Sequence, residues 1–177
     1  MRYLKAAAQD ICGNGQADTV ILQFYQQQAG CPDELIHEVV ALDMTGDRKI
    51  DVQWAAKDQP DALDLDKRIL MAFADSFLSL NWFNPAGRSQ RRLNLYVDHL
   101  GKTGRPNAVK LDFHEQTARG CKASLIYKAA AYDGDGDGVL ESFTNSDVDR
   151  NAVADKADKE LIRSLCTTFL TFAWYEV

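Results

Sequence analysis

Apolar and polar residues alternate along much of this chain. Leu93, Leu95 and Val97 stand two apart with Asn94 and Asp98 on the other parity, and Val109, Leu111 and Phe113 repeat the pattern against Lys110, Asp112 and His114. A period of two sends one set to a buried face and the other to solvent, so both stretches predict half-buried strands. Gly101-Lys-Thr-Gly-Arg-Pro-Asn107 lies between them and is rich in turn residues, which predicts a hairpin loop. Farther along the period changes. Ile162, Leu165, Cys166, Phe169, Phe172 and Ala173 recur three and four apart, the spacing of one helix face, with the helix starting after Asn151 or Asp155 and acids gathered in its first turn. Leu70, Phe73, Ala74, Phe77 and Leu80 predict a matching helix in the first half; Trp82 and Trp174 follow the two helices as core anchors.

The matching extends through most of the chain. Leu22-Gln-Phe-Tyr-Gln-Gln27 aligns with Leu111-Asp-Phe-His-Glu-Gln116, Gly30-Cys31 with Gly120-Cys121, Asp66-Lys67 with Asp158-Lys159, and Phe77-Leu-Ser-Leu-Asn-Trp-Phe83 with Phe169-Leu-Thr-Phe-Ala-Trp-Tyr175. Order and side-chain character are kept together, which is the signature of an internal repeat. The expected fold is α+β: two tandem pseudo-symmetric ββββα repeats, residues 1–84 and 85–177, with antiparallel sheets each covered by one helix and packed as one compact unit. A repeat of this length would be marginal alone, and the link Asn84-Pro-Ala-Gly-Arg88 is short.

The densest chemistry lies in Asp133-Gly-Asp-Gly-Asp-Gly-Val-Leu-Glu141. Carboxylates at every second position with glycines between suit an ion that takes six to eight oxygen ligands, and three such carboxylates repel one another without a cation. Ligands are expected from Asp133, Asp135, Asp137 and Glu141, with Val139 contributing its carbonyl and Gly138 the left-handed turn. Ca²⁺ is the first candidate and Mg²⁺ the second. An EF-hand loop closes on a Glu at position 12, where this segment has Thr144; the acid stands instead at position 9, and the flanks Leu125–Tyr132 and Val139–Phe143 predict strands. Acids at positions 1, 3, 5 and 9 between strands resemble the cation loops of integrin-type β-propellers. The resemblance spans nine residues and implies calcium ligation there, with nothing implied for the rest of the fold.

The corresponding stretch of the first repeat is Asp43-Met-Thr-Gly-Asp-Arg-Lys-Ile-Asp51. Asp43, Asp47 and Asp51 keep three acidic positions, Thr45 replaces the fourth, and Arg48 and Lys49 bring positive charge to the loop. A weaker second site is expected here, or a turn that Arg48 or Lys49 neutralises without an ion.

Net charge narrows the partners. At −6 the chain is poorly suited to general nucleic-acid binding, which depends on neutralising phosphates. The basic residues Arg88, Arg91, Arg92, Lys102, Arg105 and Lys110 are expected on a solvated face near the acidic loop, because an antiparallel meander brings both loops to one end. No membrane span is expected, since no apolar run is long enough. The first ten residues are too short and polar for a signal peptide, which fits a cytoplasmic chain or an exported one whose leader was removed. Cys12, Cys31, Cys121 and Cys166 are expected to be reduced, with Cys121–Cys166 and Cys31–Cys121 as alternative pairings. His37, His99 and His114 belong to no catalytic motif. The leading expectation is a non-enzymatic calcium-binding interaction module for a protein or small-molecule ligand. Its alternative is a metal-dependent hydrolase using the acidic loop with His99 as base.

Overall fold

The computed structural model describes residues 1–55, 65–84, 90–100, 104–117 and 121–175, without the side chains of His99 and Leu100. Four strands, β1 (Arg2–Gln9), β2 (Thr19–Gln26), β3 (Glu34–Leu42) and β4 (Val52–Ala55), lead to helix α1 (Lys67–Leu78) and a single 3-10 turn at Asn81–Phe83. Four more, β5 (Gln90–Leu100), β6 (Pro106–Gln116), β7 (Ser124–Tyr132) and β8 (Ser142–Phe143), lead to helix α2 (Lys156–Thr171).

All eight strands belong to one antiparallel sheet in the order β4-β3-β2-β1-β5-β6-β7-β8. Separate sheets were expected, and the pairing of β1 with β5 removes the boundary: Leu4 lies opposite Leu95 and Ala6 opposite Leu93. Both strands would otherwise expose a row of backbone donors and acceptors at an edge. The predicted strand Val139–Phe143 shrinks to Ser142–Phe143. Its first residues are held in the preceding loop, where the Val139 amide donates to Asp137 Oδ1 at 2.7 Å.

Alternation decides the two faces of the sheet. Leu4, Ala6, Leu22, Phe24, Leu93, Leu95, Leu111 and Phe113 are fully buried and share one core with Phe73 and Phe77 of α1 and Ile162, Leu165 and Phe169 of α2. Phe172 sits edge-on to Phe24, their ring centres 5.6 Å apart. Trp82 and Trp174 are buried as anchors, and the Trp174 Nε1–H donates to the Tyr3 and Tyr25 carbonyls at 3.2 Å each. The remaining parity, which includes Tyr3, Lys5, Asn94 and Asp112, faces the other side of the sheet. All four cysteines are free thiols, and Cys166 alone is buried.

Helix α2 begins at a reciprocal cap: the Asp155 carboxylate accepts from Ala157 at 2.7 Å, and Asp158 accepts from the Asp155 amide at 2.9 Å. Among the described residues no helix is long and apolar enough to cross a membrane.

Candidate metal centre

The loop from Asp133 to Glu141 joins β7 to β8, an antiparallel pair, with no helix at either end. Its backbone winds inward around one carboxylate. Asp133 is 5% exposed and accepts from the Gly136 amide at 2.6 Å through Oδ1 and from Gly138 at 2.8 Å through Oδ2. That winding needs φ of 80° at Gly136 and 96° at Gly138, values where a Cβ would be strained. Glu141 closes the loop by accepting from the Gly134 amide at 3.3 Å.

Each of Asp133, Asp135 and Glu141 offers an oxygen, and the three lie within 4.8 Å of one another. No Lys or Arg among the described residues forms an ion pair with any of them. Asp137 is outside this trio; its carboxylate caps Val139, and its carbonyl accepts from Arg105 Nη1 at 3.4 Å. Arg105 and the start of β6 do lie against the acidic loop, as the Asp133 amide donates to the Asn107 carbonyl at 3.0 Å. Arg88 and Lys102 lie outside the described residues, while Arg91 and Lys110 are paired with Glu115 and Asp98.

The loop from Asp43 to Asp51 has the same winding. Asp43 accepts from Gly46 at 2.6 Å and Arg48 at 2.7 Å, and the Met44 amide donates to Asp51 at 2.7 Å. Arg48 holds φ at 66°, where the other loop has glycine. The Asp43, Asp47 and Asp51 oxygens do not gather into a trio like that of the second loop. Thr45 turns its hydroxyl toward Asp43 at 3.4 Å.

Two further loops with this winding escaped the sequence reading. Between β1 and β2, Asp10 accepts from Gly13 at 2.6 Å and Gly15 at 2.8 Å, and the Ile11 amide donates to Asp18 at 3.0 Å. Burial alone would raise the Asp18 carboxyl, but the Ile11 and Cys12 amides outweigh it and hold it below its ordinary range. The signal was an Asp at the first and ninth positions with glycines at the fourth and sixth; Cys12 and Asn14 in place of acids hid it.

The other loop leads into α2. Asp147 accepts from Asn151 and Ala152 at 3.1 and 3.0 Å, and Arg150 and Ala152 take positive φ of 62° and 73°. The second-position amide, Val148, donates at 2.7 Å to Asp158, a fully buried carboxylate from the first turn of the helix. Asp147, Asp149 and Asp158 form a second group of three carboxylates within 4.8 Å. Counted from Asp147, these are positions 1, 3 and 12, with Asn151 at position 5; that is the ligand register of a twelve-residue EF-hand loop, entered here from a coil and left through a helix. The spacing Asp-x-Asp-x-Asn is legible at 147–151, but Asp158 reads as one of the acids that favour the first turn of a helix. Both acidic clusters could therefore hold a metal ion.

His99 is paired through its backbone with Ala108, and its side chain lies outside the described residues. Comparison with known protein families, with curated proteins and with solved structures finds no match for this chain.

Proposed function

We propose that this protein is a calcium-binding interaction module in which Ca²⁺ stabilises the β7–β8 loop. The observation that carries this is the convergence of Asp133, Asp135 and Glu141 oxygens within 4.8 Å, with no ion pair to any of them from a described Lys or Arg. Carboxylates brought so close repel each other, and a divalent cation converts that repulsion into attraction. Oxygen-only donors on an irregular loop favour Ca²⁺ over Mg²⁺, which demands tighter octahedral geometry. The Val139 carbonyl supplies a neutral ligand, and Asp137 joins by turning one oxygen inward while the other keeps the Val139 amide.

A second ion is proposed at Asp147, Asp149, Asn151 and Asp158, on the strength of the second carboxylate trio. The first loop, Asp43 to Asp51, is proposed as weak: the Arg48 and Lys49 charges oppose a cation there, and Thr45 is a poorer ligand than a carboxylate. The architecture fits a pair of ββββα units meeting between β1 and β5, a proposal supported by the mirrored strand order and by the matching turns after β3 and β7. Hydrolysis with His99 as base has no described side chain to support it and is not carried forward.

Calorimetric titration of chelator-stripped protein with Ca²⁺ tests the proposal. Two strong sites are expected, reduced to one by Asp135→Ala and to one by Asp149→Ala. Absence of any calcium heat at millimolar Ca²⁺ would refute it.

A further inference from the structure

The face of the sheet remote from the core carries a cavity of about 600 Å³, lined from β1, β2, β5 and β6. Its polar residues differ from those elsewhere on that face. Gln23 is bonded to Glu38, and Lys110 to the Tyr132 hydroxyl. In the cavity, by contrast, Arg92, Asn94 and His114 make no side-chain hydrogen bond to any described residue. Among the described residues, three buried side-chain polar atoms without a partner, Arg92 Nε, Asn94 Oδ1 and His114 Nδ1, belong to residues of this one cavity. Buried polar groups are nearly always satisfied, and each exception costs free energy that a ligand can recover.

We propose that this cavity binds an uncharged polyhydroxylated ligand, a sugar or related polyol. The lining side chains set that class in three ways. First, the lining interleaves charges of both signs, Lys5, Arg92 and the Met1 ammonium with Asp33 and Asp112, so it presents no block of one sign to select an ion. Both anions are already engaged, Asp33 by the Tyr3 hydroxyl at 2.7 Å and Asp112 by the Tyr96 hydroxyl at 3.2 Å, with Lys128 at 3.6 Å. Second, the idle atoms mix donors with acceptors. Burial, and then the Arg92 charge, hold the His114 imidazole below its ordinary titration range, so it is neutral at pH 7 with one nitrogen to donate and one to accept. Hydroxyls do both, and a ring bearing several matches such a set better than a carboxylate or an ammonium. Third, Tyr3, Tyr25 and Tyr96 supply apolar wall for the C–H surface of a sugar ring; Tyr3 and Tyr25 are stacked at 5.2 Å and so held rigid. Because Arg92, Asn94 and His114 have no side-chain hydrogen bond to a described residue to break, their side chains can turn toward the ligand. The cavity volume falls within the range of small-ligand sites.

The test is an amide chemical-shift titration of the full chain at saturating Ca²⁺. The probes are glucose, galactose, mannose, N-acetylglucosamine, maltose and inositol, beside charged glucosamine and gluconate. At least one neutral probe is expected to give saturable shifts at Tyr3, Lys5, Asn94 and His114. Asn94→Ala and His114→Ala should each weaken it about tenfold, and Trp54→Ala, on the exposed outer strand β4 away from the cavity, should not. Where alanine disturbs the spectrum, Asn94→Ser and His114→Gln replace it. The proposal is overturned if no neutral probe shifts these amides, if glucosamine or gluconate binds more tightly than every neutral probe, or if the cavity variants bind like the wild type.

Discussion

Asp133 and Asp135 stand two residues apart in one loop, and replacing each with alanine should separate the loop's architecture from its metal. Asp133 is 5% exposed and accepts two backbone amides, at 2.6 and 2.8 Å. Hydrogen bonds to a charged acceptor contribute about 1.5–3 kcal/mol each, so Asp133→Ala should cost about 3 kcal/mol or more even with calcium chelated. For a chain of this size that lowers Tm by roughly 6–12 °C. Asp135 is exposed and accepts one amide, from Asp137 at 3.1 Å. Its removal also relieves like-charge repulsion, so Asp135→Ala in chelator should melt near the wild type or slightly above it. Calcium reverses the ranking of what is lost. At one hundred times its dissociation constant, each strong site should stabilise the wild type by about 2.7 kcal/mol, or roughly 5–11 °C in Tm, and Asp135→Ala should lose the contribution of the 133–141 site while keeping that of the Asp147 site. Scanning calorimetry of the three proteins in chelator and in excess Ca²⁺ checks both halves. An unchanged calcium shift in Asp135→Ala, or a chelator-state loss as large as that of Asp133→Ala, would refute the division.

Arg48→Gly should stabilise the first loop by about 1 kcal/mol, because Arg48 holds φ at 66° where a side chain is strained; combined with Thr45→Asp it should add a calcium site to the titration. Burial raises the Asp75 carboxyl, with Asp47 and Asp43 adding to the effect against the Ile50 amide and Lys49. A raised folded-state value penalises the ionised fold, so stability is lost as pH rises from the unfolded value of ~3.9 through the folded one. Asp75→Asn keeps an acceptor for the Ile50 amide, bonded at 2.7 Å, and should melt higher than wild type at pH 7; equal gains at pH 3 would contradict this origin. Because the 133–141 loop joins paired strands and the second site only caps the start of α2, Ca²⁺ should raise hydrogen-exchange protection between Tyr132 and Phe143 and between Asp147 and Asp158, and leave hydrophobic-dye binding unchanged. A dye increase with exchange changes reaching the far end of α2, around Phe169 to Trp174, would make the protein a switch.

The strands were legible because alternation at Leu93, Leu95 and Val97, and at Val109, Leu111 and Phe113, reports burial directly. The single sheet was not, since the contact of β1 with β5 joins residues far apart in sequence and alternation carries no information about which strand lies alongside. At the acidic loop, charge density and glycine spacing announced Asp133, Asp135 and Glu141, yet spacing alone could not show that Asp137 would spend its carboxylate on the Val139 amide. The Asp147 cluster was missed because its third acid, Asp158, comes from a helix that also uses it as a cap. Arg92, Asn94 and His114 read as solvated strand residues, because their idle hydrogen-bonding groups are visible only once the sheet brings them together.

The central claim is a calcium ion at the β7–β8 loop, and anomalous diffraction from crystals grown with Ca²⁺ tests it most directly. A peak is expected at 2.3–2.6 Å from carboxylate oxygens of Asp133, Asp135 and Glu141 and from the Val139 carbonyl, absent in Asp135→Ala crystals grown alike. Crystals in millimolar Ca²⁺ with no anomalous peak among these oxygens, or with Arg105 occupying their centre, would contradict it.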